Sequence, residues 1–347
     1  MARSSGPIAR SLALASVAGT LLASLAACGA APGRSATTLV LYNGQHPQTT
    51  EALVSAFEQK SGIQVQVRSN DEDVLADQLV EEGSASPADL FYSENSPALE
   101  YLQGKNLLAS VPPATLAHVP ANFDSPASDW VGVSARVSVL IYNTQLLRPS
   151  QLPASVLSLA DPRWRGLLGI APSETDFQPI VTSIARRYGK SAAVGWLKDI
   201  SANAQQHVYP DNETITARVN SGQIAIGIIN HYYWYRLRAE LGTAQMHSAL
   251  AYFAPGSAGY VLDVSGAAVL RSSRHQQAAD QFLAFLVSRH GQEILAHGDS
   301  FEYPLGSSVK SARALRPFAS LRPAHLTIAE LGDGAEAVAL LQQAQLI

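Results

Sequence analysis

The N-terminal third of the chain alternates short apolar runs with stretches of helical spacing. Apolar residues at 39–42 end at an Asn-Gly turn and predict a strand, and apolar positions over 53–62 recur at helical spacing up to a glycine. Alternating Ile and Val at 63–67 predict a second strand, followed by a helix over 70–83 and a strand over 88–92. This β-α-β-α-β order predicts an open parallel sheet with helices on its faces.

The rest of the chain also combines short apolar runs with segments of helical spacing, and it has no internal repeat of fixed period. Apolar, β-rich runs predict further strands, and longer segments of helical spacing predict further helices: strands at 131–142, 166–171, 224–229 and 259–270, and helices at 178–188, 232–241 and 276–297. Two α/β lobes linked by strand crossovers fit this order better than one large sheet does.

Composition narrows the class of protein. The 347 residues are 47% hydrophobic and 15% charged, and at about 150 residues per domain they suggest two domains with ample material for a core. A formal net charge of −4 gives no basic footprint for nucleic acid. The single cysteine excludes an intramolecular disulfide and a zinc site built from cysteines.

That cysteine, Cys28, follows an export signal. Arg3 and Arg10 accompany an apolar run at 11–23 that is too short for a stable membrane span, and small residues come directly before Cys28. The Leu-Ala-Ala-Cys segment is similar to the bacterial lipobox, which predicts a lipoprotein signal over 1–27 and a lipid on the Cys28 thiol. The alternative is an ordinary secretory signal with an incidental cysteine. Cleavage removes two arginines and no acid, which changes the formal charge to −6, and residues 28–38 read as a flexible tether.

Chemistry-bearing side chains follow three of the predicted strands at the point where each strand ends. His46 comes after the first strand, Glu94 after the third, and Tyr232 and Tyr233 after the strand at 224–229. In open α/β sheets, ligands bind beyond the carboxyl ends of the strands. We therefore expect an imidazole, a carboxylate and two phenols to face one ligand site.

The two adjacent tyrosines favour a metal site if they begin a helix. At the first turn of a helix neighbouring rings are about 100° apart, so that both hydroxyls can converge on one small ligand. Phenolate is a hard oxygen donor that must lose a proton of pKa about 10, and ferric iron has the charge density to displace that proton at neutral pH. Taken singly, each residue has an ordinary alternative: a turn histidine, a solvated loop acid, and an aromatic surface for an interface or a sugar.

Together these motifs carry a resemblance to a known family. The segments Tyr-Asn-Gly-Gln-His, Pro-Ala-Asp-Leu-Phe-Tyr-Ser-Glu and Asn-His-Tyr-Tyr-Trp, with Val-Ser-Gly-Ala-Ala-Val at 264–269 and Glu-Tyr-Pro-Leu at 302–305, resemble the periplasmic ferric-ion-binding proteins of iron ABC importers. The resemblance covers essentially the whole chain after the leader, in order. It implies an α/β, two-lobed periplasmic-binding-protein fold of the Venus-flytrap, transferrin-like type, with strand crossovers at the hinge.

The resemblance also implies a ligand set and partners. His46 and Glu94 would bind ferric iron from one lobe, and Tyr232 and Tyr233 from the other, with a synergistic anion such as carbonate or phosphate, or water, completing the site. Residues that match positions near this anion in family members are Asn212, Asn230 and Arg136. The implied partners are an ABC permease and its ATPase, and we expect a monomer anchored by lipid to the outer face of the cytoplasmic membrane, on the periplasmic side or at the cell surface.

One loop departs from the family pattern. Where phosphate-using relatives have a small Ser-Gly-Ala loop, this chain carries Glu174 and Asp176, and two acids would repel an anion. A carbonate, a water pair or a carboxylate from this loop would then complete the coordination of the iron.

The resemblance places the lobe boundaries at the strand crossovers. We expect an N-terminal lobe of residues 39–135 plus about 263–313, and a C-terminal lobe of 136–262 plus about 314–347. An alternative keeps the fold but binds an organic ligand such as a polyamine, sugar, thiamine or organophosphate. An enzyme is not expected, because the sequence has no Gly-x-Ser-x-Gly elbow, His-Glu-x-x-His helix or phosphate-binding loop.

Overall fold

The structure is a computed structural model that describes residues 37–347. The predicted signal at 1–27, Cys28 and all but the last two residues of the predicted tether lie outside the described residues. The strands within the described part are numbered here in chain order: β1 Thr38–Asn43, β2 Gln64–Ser69, β3 Leu90–Ser93, β4 Val131–Asn143, β5 Leu168–Gly169, β6 Ile226–Asn230, β7 Ser248–Ala251, β8 Leu262–Val269 and β9 Tyr303–Pro304.

Helices occur between the strands and also in consecutive groups. They are α1 Pro47–Ser61, α2 Glu72–Glu82, α3 Ser96–Gly104, α4 Pro113–Leu116, α5 Gln178–Tyr188, α6 Lys190–Ala204, α7 Asn212–Asn220, α8 His231–Leu241, α9 Gln276–Val287, α10 Arg289–His297, α11 Ile328–Leu331 and α12 Ala335–Gln343. The predicted helices at 178–188 and 232–241 are confirmed, the second beginning one residue early. Helix α1 ends as predicted at Gly62, whose φ of 73° is the left-handed conformation that glycine adopts without strain.

The strands pair into one continuous sheet in the order β2-β1-β3-β8-β4-β6-β5, with β7 and β9 added to β4. Strand β1 is parallel to β2 and β3, and β5 is parallel to β6, as the β-α-β pattern predicts. The middle of the sheet, for which the sequence pattern predicts no strand direction, is antiparallel: β8 runs antiparallel to both β3 and β4, and β4 runs antiparallel to β6. Leu90 pairs with Val269, and contacts so distant along the chain leave no local pattern.

Strand β4 carries polar side chains at alternating positions within a fully buried segment. All thirteen of its residues are buried, and Ser134, Arg136 and Ser138 share one face because side chains of a strand alternate. The hydroxyl of Ser138 donates to the carbonyl of Gly259, and that of Ser134 donates to Glu302. Burial of polar groups is costly unless they have partners, so this face is shaped by specific contacts and not by general packing.

Several predicted elements differ in length from those observed. The helix predicted over 276–297 is two helices, because Ser288 lies between them in an extended conformation and its hydroxyl accepts a hydrogen bond from the backbone of Gly291. The strand predicted at 166–171 pairs only over Leu168–Gly169. Across residues 37–347, none of the helices combines the length and apolar character that a membrane crossing needs.

Candidate metal centre

His46 is held at the junction between β1 and α1. It occupies the N-cap position of α1, and its backbone N–H donates to the side-chain oxygen of Gln45 at 2.7 Å. Gln45 is buried and donates in turn to the Ser265 hydroxyl at 2.9 Å, which ties the junction to β8. Gly44 must be a glycine, since a Cβ there would lie 2.4 Å from Cβ of Glu72. The imidazole is thereby directed toward the end of β3.

Glu94 follows β3 and meets groups from three other elements. Its Oε1 lies 3.1 Å from Nε2 of His46 and 3.7 Å from Nη1 of Arg136, and it accepts a hydrogen bond from the Tyr232 hydroxyl. Burial acts to raise the pKa of Glu94, but the charges of His46 and Arg136 and the hydrogen bonds hold that pKa well below its usual range. Glu94 is therefore a carboxylate at neutral pH.

Tyr232 and Tyr233 lie in the first turn of α8, directly after β6. Their ring centroids are 4.1 Å apart, and both hydroxyls donate to Oδ2 of Asp176 at 3.1 Å. The convergence expected of adjacent tyrosines at a helix start is thus present. Burial, followed by the charges of Asp176 and Glu94, raises the pKa of both phenols well above the ordinary value. Both phenols are protonated until a cation replaces their protons.

Asp176 is the point at which the site's hydrogen bonds meet. It is buried in a short 3-10 turn after β5, and its Oδ1 accepts from the Asn95 amide at 3.2 Å. Its Oδ2 accepts from the Asn212 amide at 3.2 Å as well as from Tyr232 and Tyr233. Burial and the neighbouring Glu94 carboxylate raise its pKa. Both phenols and two side-chain amides therefore converge on this one carboxylate.

The other acid of this loop, Glu174, lines the same space at a greater remove. It is half-buried, and burial together with the charges of Asp176 and Glu94 raises its pKa to about 10. No hydrogen bond joins its side chain to the phenols within residues 37–347. Glu174 is therefore an uncharged acid at neutral pH, because another negative charge beside Asp176 and Glu94 would be unfavourable.

Two arginines flank the ring of Tyr232. Arg136 is fully buried, with Nη2 3.0 Å from Glu302 Oε1 and Nη1 donating to Asn95 Oδ1 at 3.1 Å. Its guanidinium carbon lies 5.5 Å from the Tyr232 ring centroid, and that of Arg236, one turn along α8, lies 4.7 Å from the same centroid. Cations at these distances favour negative charge on the ring and its oxygen.

Of the remaining predicted residues, the structure brings one into the network and leaves another outside it. Asn212, the first residue of α7, donates to Asp176. Asn230 is buried at the end of β6, at the N-cap position of α8, and among the described residues its side chain makes no hydrogen bond to the groups above.

Two supporting residues carry no functional signal in the sequence. Glu72, which the sequence indicates only as a helix-start acid, is buried and accepts from the Ser93 hydroxyl at 2.7 Å and from Asn95 N–H and Nδ2 at 2.7 and 2.9 Å. Glu72 thereby fixes the side-chain amide of Asn95, which hydrogen-bonds to both Asp176 and Arg136. An acid in a first helical turn is so common that no sequence pattern distinguishes this one.

The second such residue is His231, which begins α8. Its Nδ1 accepts a hydrogen bond from the backbone of Val137 in β4 at 3.3 Å, and its ring stacks on Tyr303 with centroids 4.8 Å apart. Burial, followed by the charge of Arg136, lowers its pKa to about 3, so that it stays neutral. This contact fixes the helix start that carries the two tyrosines.

A cavity of about 500 Å³ opens onto these groups, with His46, Glu94 and Tyr233 in its wall. Within the described range, no three His, Cys, Asp or Glu side chains are by themselves spaced to hold a metal ion. Phenolate, carboxylate and imidazole together form a donor set that suits a hard, highly charged cation.

Comparison with known proteins gives one family and several relatives. The family of bacterial extracellular solute-binding proteins matches residues 85–322. The chain is 37% identical to the Fe(3+)-binding periplasmic protein of Serratia marcescens, over 94% of this chain and 96% of that protein. The relative therefore spans nearly the same length.

Two of the solved structures that are similar to this chain contain iron, in agreement with the names of the sequence relatives. The iron-bound HitA of Pseudomonas aeruginosa is 41% identical with a TM-score of 0.85, covering 89% of this chain and 99% of HitA. The FutA protein of Trichodesmium, solved in complex with iron and citrate ligands, is 28% identical with a TM-score of 0.77, covering 89% of this chain and all of that chain. The fold is that of the periplasmic binding proteins, as predicted.

Proposed function

The chain belongs to the family of bacterial extracellular solute-binding proteins, and from that premise we propose that it binds ferric iron and delivers it to an ABC permease in the cytoplasmic membrane. Relatives named as ferric-iron-binding proteins match nearly its full length. This agrees with the ligand inferred from the sequence motifs alone. The proposal makes the protein a carrier of iron and assigns it no catalytic step.

One observation supports the proposal most directly. The hydroxyls of Tyr232 and Tyr233 lie 3.1 Å from the same Asp176 oxygen, and Tyr232 also donates to Glu94, next to His46. A site for an organic ligand does not require two buried phenols whose hydroxyls share one acceptor. They become useful when a cation of high charge density displaces both protons and takes both oxygens.

We assign five ligands to this chain. His46, Glu94, Tyr232 and Tyr233 supply one imidazole nitrogen, one carboxylate and two phenolates, and Asp176 supplies the oxygen that a synergistic anion provides in other members of the family. Support for the fifth ligand is its position between the phenols and its hydrogen bonds from Asn95 and Asn212. Water would complete the coordination in this arrangement.

Capture proceeds in this proposal by closure of two lobes. The lobes are residues 39–135 with about 263–313, and 136–262 with about 314–347, and β4 and β8 are the strands that cross between them. Iron meets the phenols on one lobe first, and closure adds His46 and Glu94 from the other. Acid favours release, because protons compete with iron for the phenolates and the imidazole.

The place of action follows from the N-terminal segment. We propose that cleavage after residue 27 and a lipid on Cys28 hold the protein at the outer face of the cytoplasmic membrane, near the permease and its ATPase. The periplasmic relatives support export, and the anchor keeps an exported carrier close to its transporter. The protein would act as a monomer.

Titration with ferric iron tests the function. We expect one equivalent of iron to produce a visible phenolate-to-metal charge-transfer band, since the ligands include two phenolates. Absorbance is followed while a ferric donor is added to the iron-free protein, with bound iron counted after desalting. A protein that stays colourless at saturating iron, or that instead binds a member of a polyamine, sugar, thiamine and organophosphate panel, contradicts the assignment.

Arg236 should tune the acidity of the Tyr232 phenol. We expect Arg236→Gln to raise the pH at which acid bleaches the iron-loaded protein by about 0.5 unit, because Arg236 is partly exposed to solvent and a solvated cation over an aromatic ring contributes about 0.5–1 kcal/mol. Without that cation the phenolate is less stable, so that protons displace iron at a higher pH. The measurement is a spectrophotometric pH titration of the charge-transfer band.

Arg238 provides the matched control for this substitution. It lies on the same helix and stacks on Trp234 and Tyr235, with guanidinium-to-centroid distances of 4.7 and 5.1 Å. Arg238→Gln removes an equal charge and an equal type of contact from rings outside the site. Equal shifts in both variants would show that the effect is general electrostatics and not the Tyr232 phenol.

A further inference from the structure

The entrance of the cavity is acidic on two sides. Asp71 and Asp73 come from the start of α2, and Asp211 and Glu213 from the start of α7. We refer to these four residues as the acidic mouth. Asp71, Asp73 and Glu213 are exposed, so their charges face the solvent through which a ligand arrives.

The described wall of the cavity supplies no lysine or arginine to offset this charge. Glu72, Glu94 and Glu174 line its wall, and among the residues that the structure describes no Lys or Arg lines it. The two nearby guanidinium groups are already engaged: Arg136 with Glu302 and Asn95, and Arg236 with the carbonyl of Asp299 at 3.2 Å. A negatively charged ligand therefore meets no lysine or arginine in the described wall that is free to receive it.

The helix starts at the mouth are also unfavourable for anions. Helix N-termini ordinarily attract negative groups through their backbone N–H donors and partial positive charge. Here each start carries acids of its own, and Asp211 already accepts from the backbone of Thr214 at 2.6 Å. At the start of α2, Asp73 likewise accepts from the backbone N–H of Val74 at 2.9 Å. At each start one of the protein's own carboxylates therefore occupies a backbone donor that could bind the carboxylate or phosphate of a ligand.

An independent observation concerns the position between the phenols. A chelator that entered together with its iron would need to place a carboxylate near Tyr232 and Tyr233. Oδ2 of Asp176 already accepts from both hydroxyls at 3.1 Å, and the amides of Asn95 and Asn212 are directed at the same side chain. The donors that a chelator's carboxylate requires are therefore occupied.

From these observations we infer that the cavity loads iron as a cation and disfavours anionic ferric chelates, so that a chelator such as citrate must release the metal before it enters. This inference depends on the proposed iron site and specifies the chemical form of its cargo. It differs from the arrangement in the FutA structure, which was solved with citrate as well as iron. Charged clefts change association rates by about 10- to 1,000-fold, and salt suppresses that change.

The test measures loading rates from two ferric donors of opposite charge. The cationic donor is ferric acetohydroxamate with fewer than three hydroxamates per iron, the anionic donor is ferric citrate, and protein-bound radioactive iron is counted after rapid desalting. Raising NaCl from about 20 to 300 mM should slow loading from the cationic donor and speed it from citrate, each at least about threefold. For each donor, the loading rate at high salt is compared only with the rate from the same donor at low salt. The different rates at which the two chelators release iron therefore do not affect the result.

Neutralising the mouth should reproduce the effect of salt. In Asp71→Asn/Asp73→Asn/Glu213→Gln, which changes exposed residues and leaves at 71 a residue type that favours the N-cap position, we expect slower loading from the cationic donor and faster loading from citrate, each about threefold, with one iron bound at the end. The control Glu51→Gln/Glu81→Gln/Asp199→Asn removes three exposed acids outside the cavity and should load like the parent protein.

The outcomes separate this inference from the function on which it depends. If neither donor leaves iron on the protein, the proposed function is wrong. If iron binds with full stoichiometry but neither salt nor the mouth variant changes the rates in opposite directions, the function stands and the charge selection is overturned. Equal effects of the mouth and control variants would overturn it as well.

Discussion

Tyr233→Phe is expected to reduce ferric-iron affinity by more than about 100-fold and to remove most of the charge-transfer colour. Substitution of residues that merely support a metal ligand typically costs about 10- to 100-fold, and the loss of a ligand should cost more. The change removes one oxygen and leaves the ring, so that packing against Tyr232 at 4.1 Å is preserved. Affinity is measured by competition with a chelator of known strength.

Tyr235→Phe is the matched control, since Tyr235 lies on the same helix and is buried but stacks on Phe301, outside the site. It should keep the colour and the affinity of the parent protein. Thermal unfolding of both variants establishes that each is folded. Unchanged affinity and spectrum in Tyr233→Phe would remove that residue from the site.

Asp176→Ala is expected to make iron binding dependent on an added anion. In buffer free of carbonate and phosphate, the affinity should fall by more than about 100-fold, because an oxygen ligand and its negative charge are lost together. Adding carbonate or phosphate should restore part of the affinity, since a small anion can then receive the hydrogen bonds of Asn95 and Asn212. The parent protein should bind equally well with and without the anion.

Glu174→Gln is the control for this second substitution. It removes an acid of the same loop that makes no described hydrogen bond to the phenols, and the anion-free affinity should change far less than in Asp176→Ala. If the parent protein itself requires carbonate or phosphate, Asp176 does not take the place of the anion. If Glu174→Gln shows the larger loss, the roles of the two acids are reversed.

The parts of the site that lie next to strand ends are predictable from the sequence. A strand followed at once by a polar or aromatic side chain is visible locally, and this pattern alone points to His46, Glu94, Tyr232 and Tyr233. The helical spacing after Asn230 also predicts that the two phenols converge, which they do on Asp176. Local patterns suffice because each of these residues is placed by the element beside it.

The supporting network is not predictable in the same way. Glu72 reaches Asn95 across 23 residues, and Asn95 reaches Asp176 across 81, so each contact depends on how distant elements pack. The sequence distinguishes Asp176 only as a departure from the family's loop and gives no sign of its partners. The antiparallel pairing of β8 with β3 and β4 escapes prediction for the same reason, because strand order is decided by contacts between distant segments.

Diffraction from crystals of the iron-loaded protein, recorded on both sides of the iron absorption edge, tests the central claim most directly. The account predicts one strong anomalous peak, bonded to both phenolate oxygens, the carboxylates of Glu94 and Asp176, and the imidazole of His46. It predicts no separate anion between Tyr232 and Tyr233. An anomalous peak elsewhere in the protein, or none in crystals grown with excess iron, would contradict it.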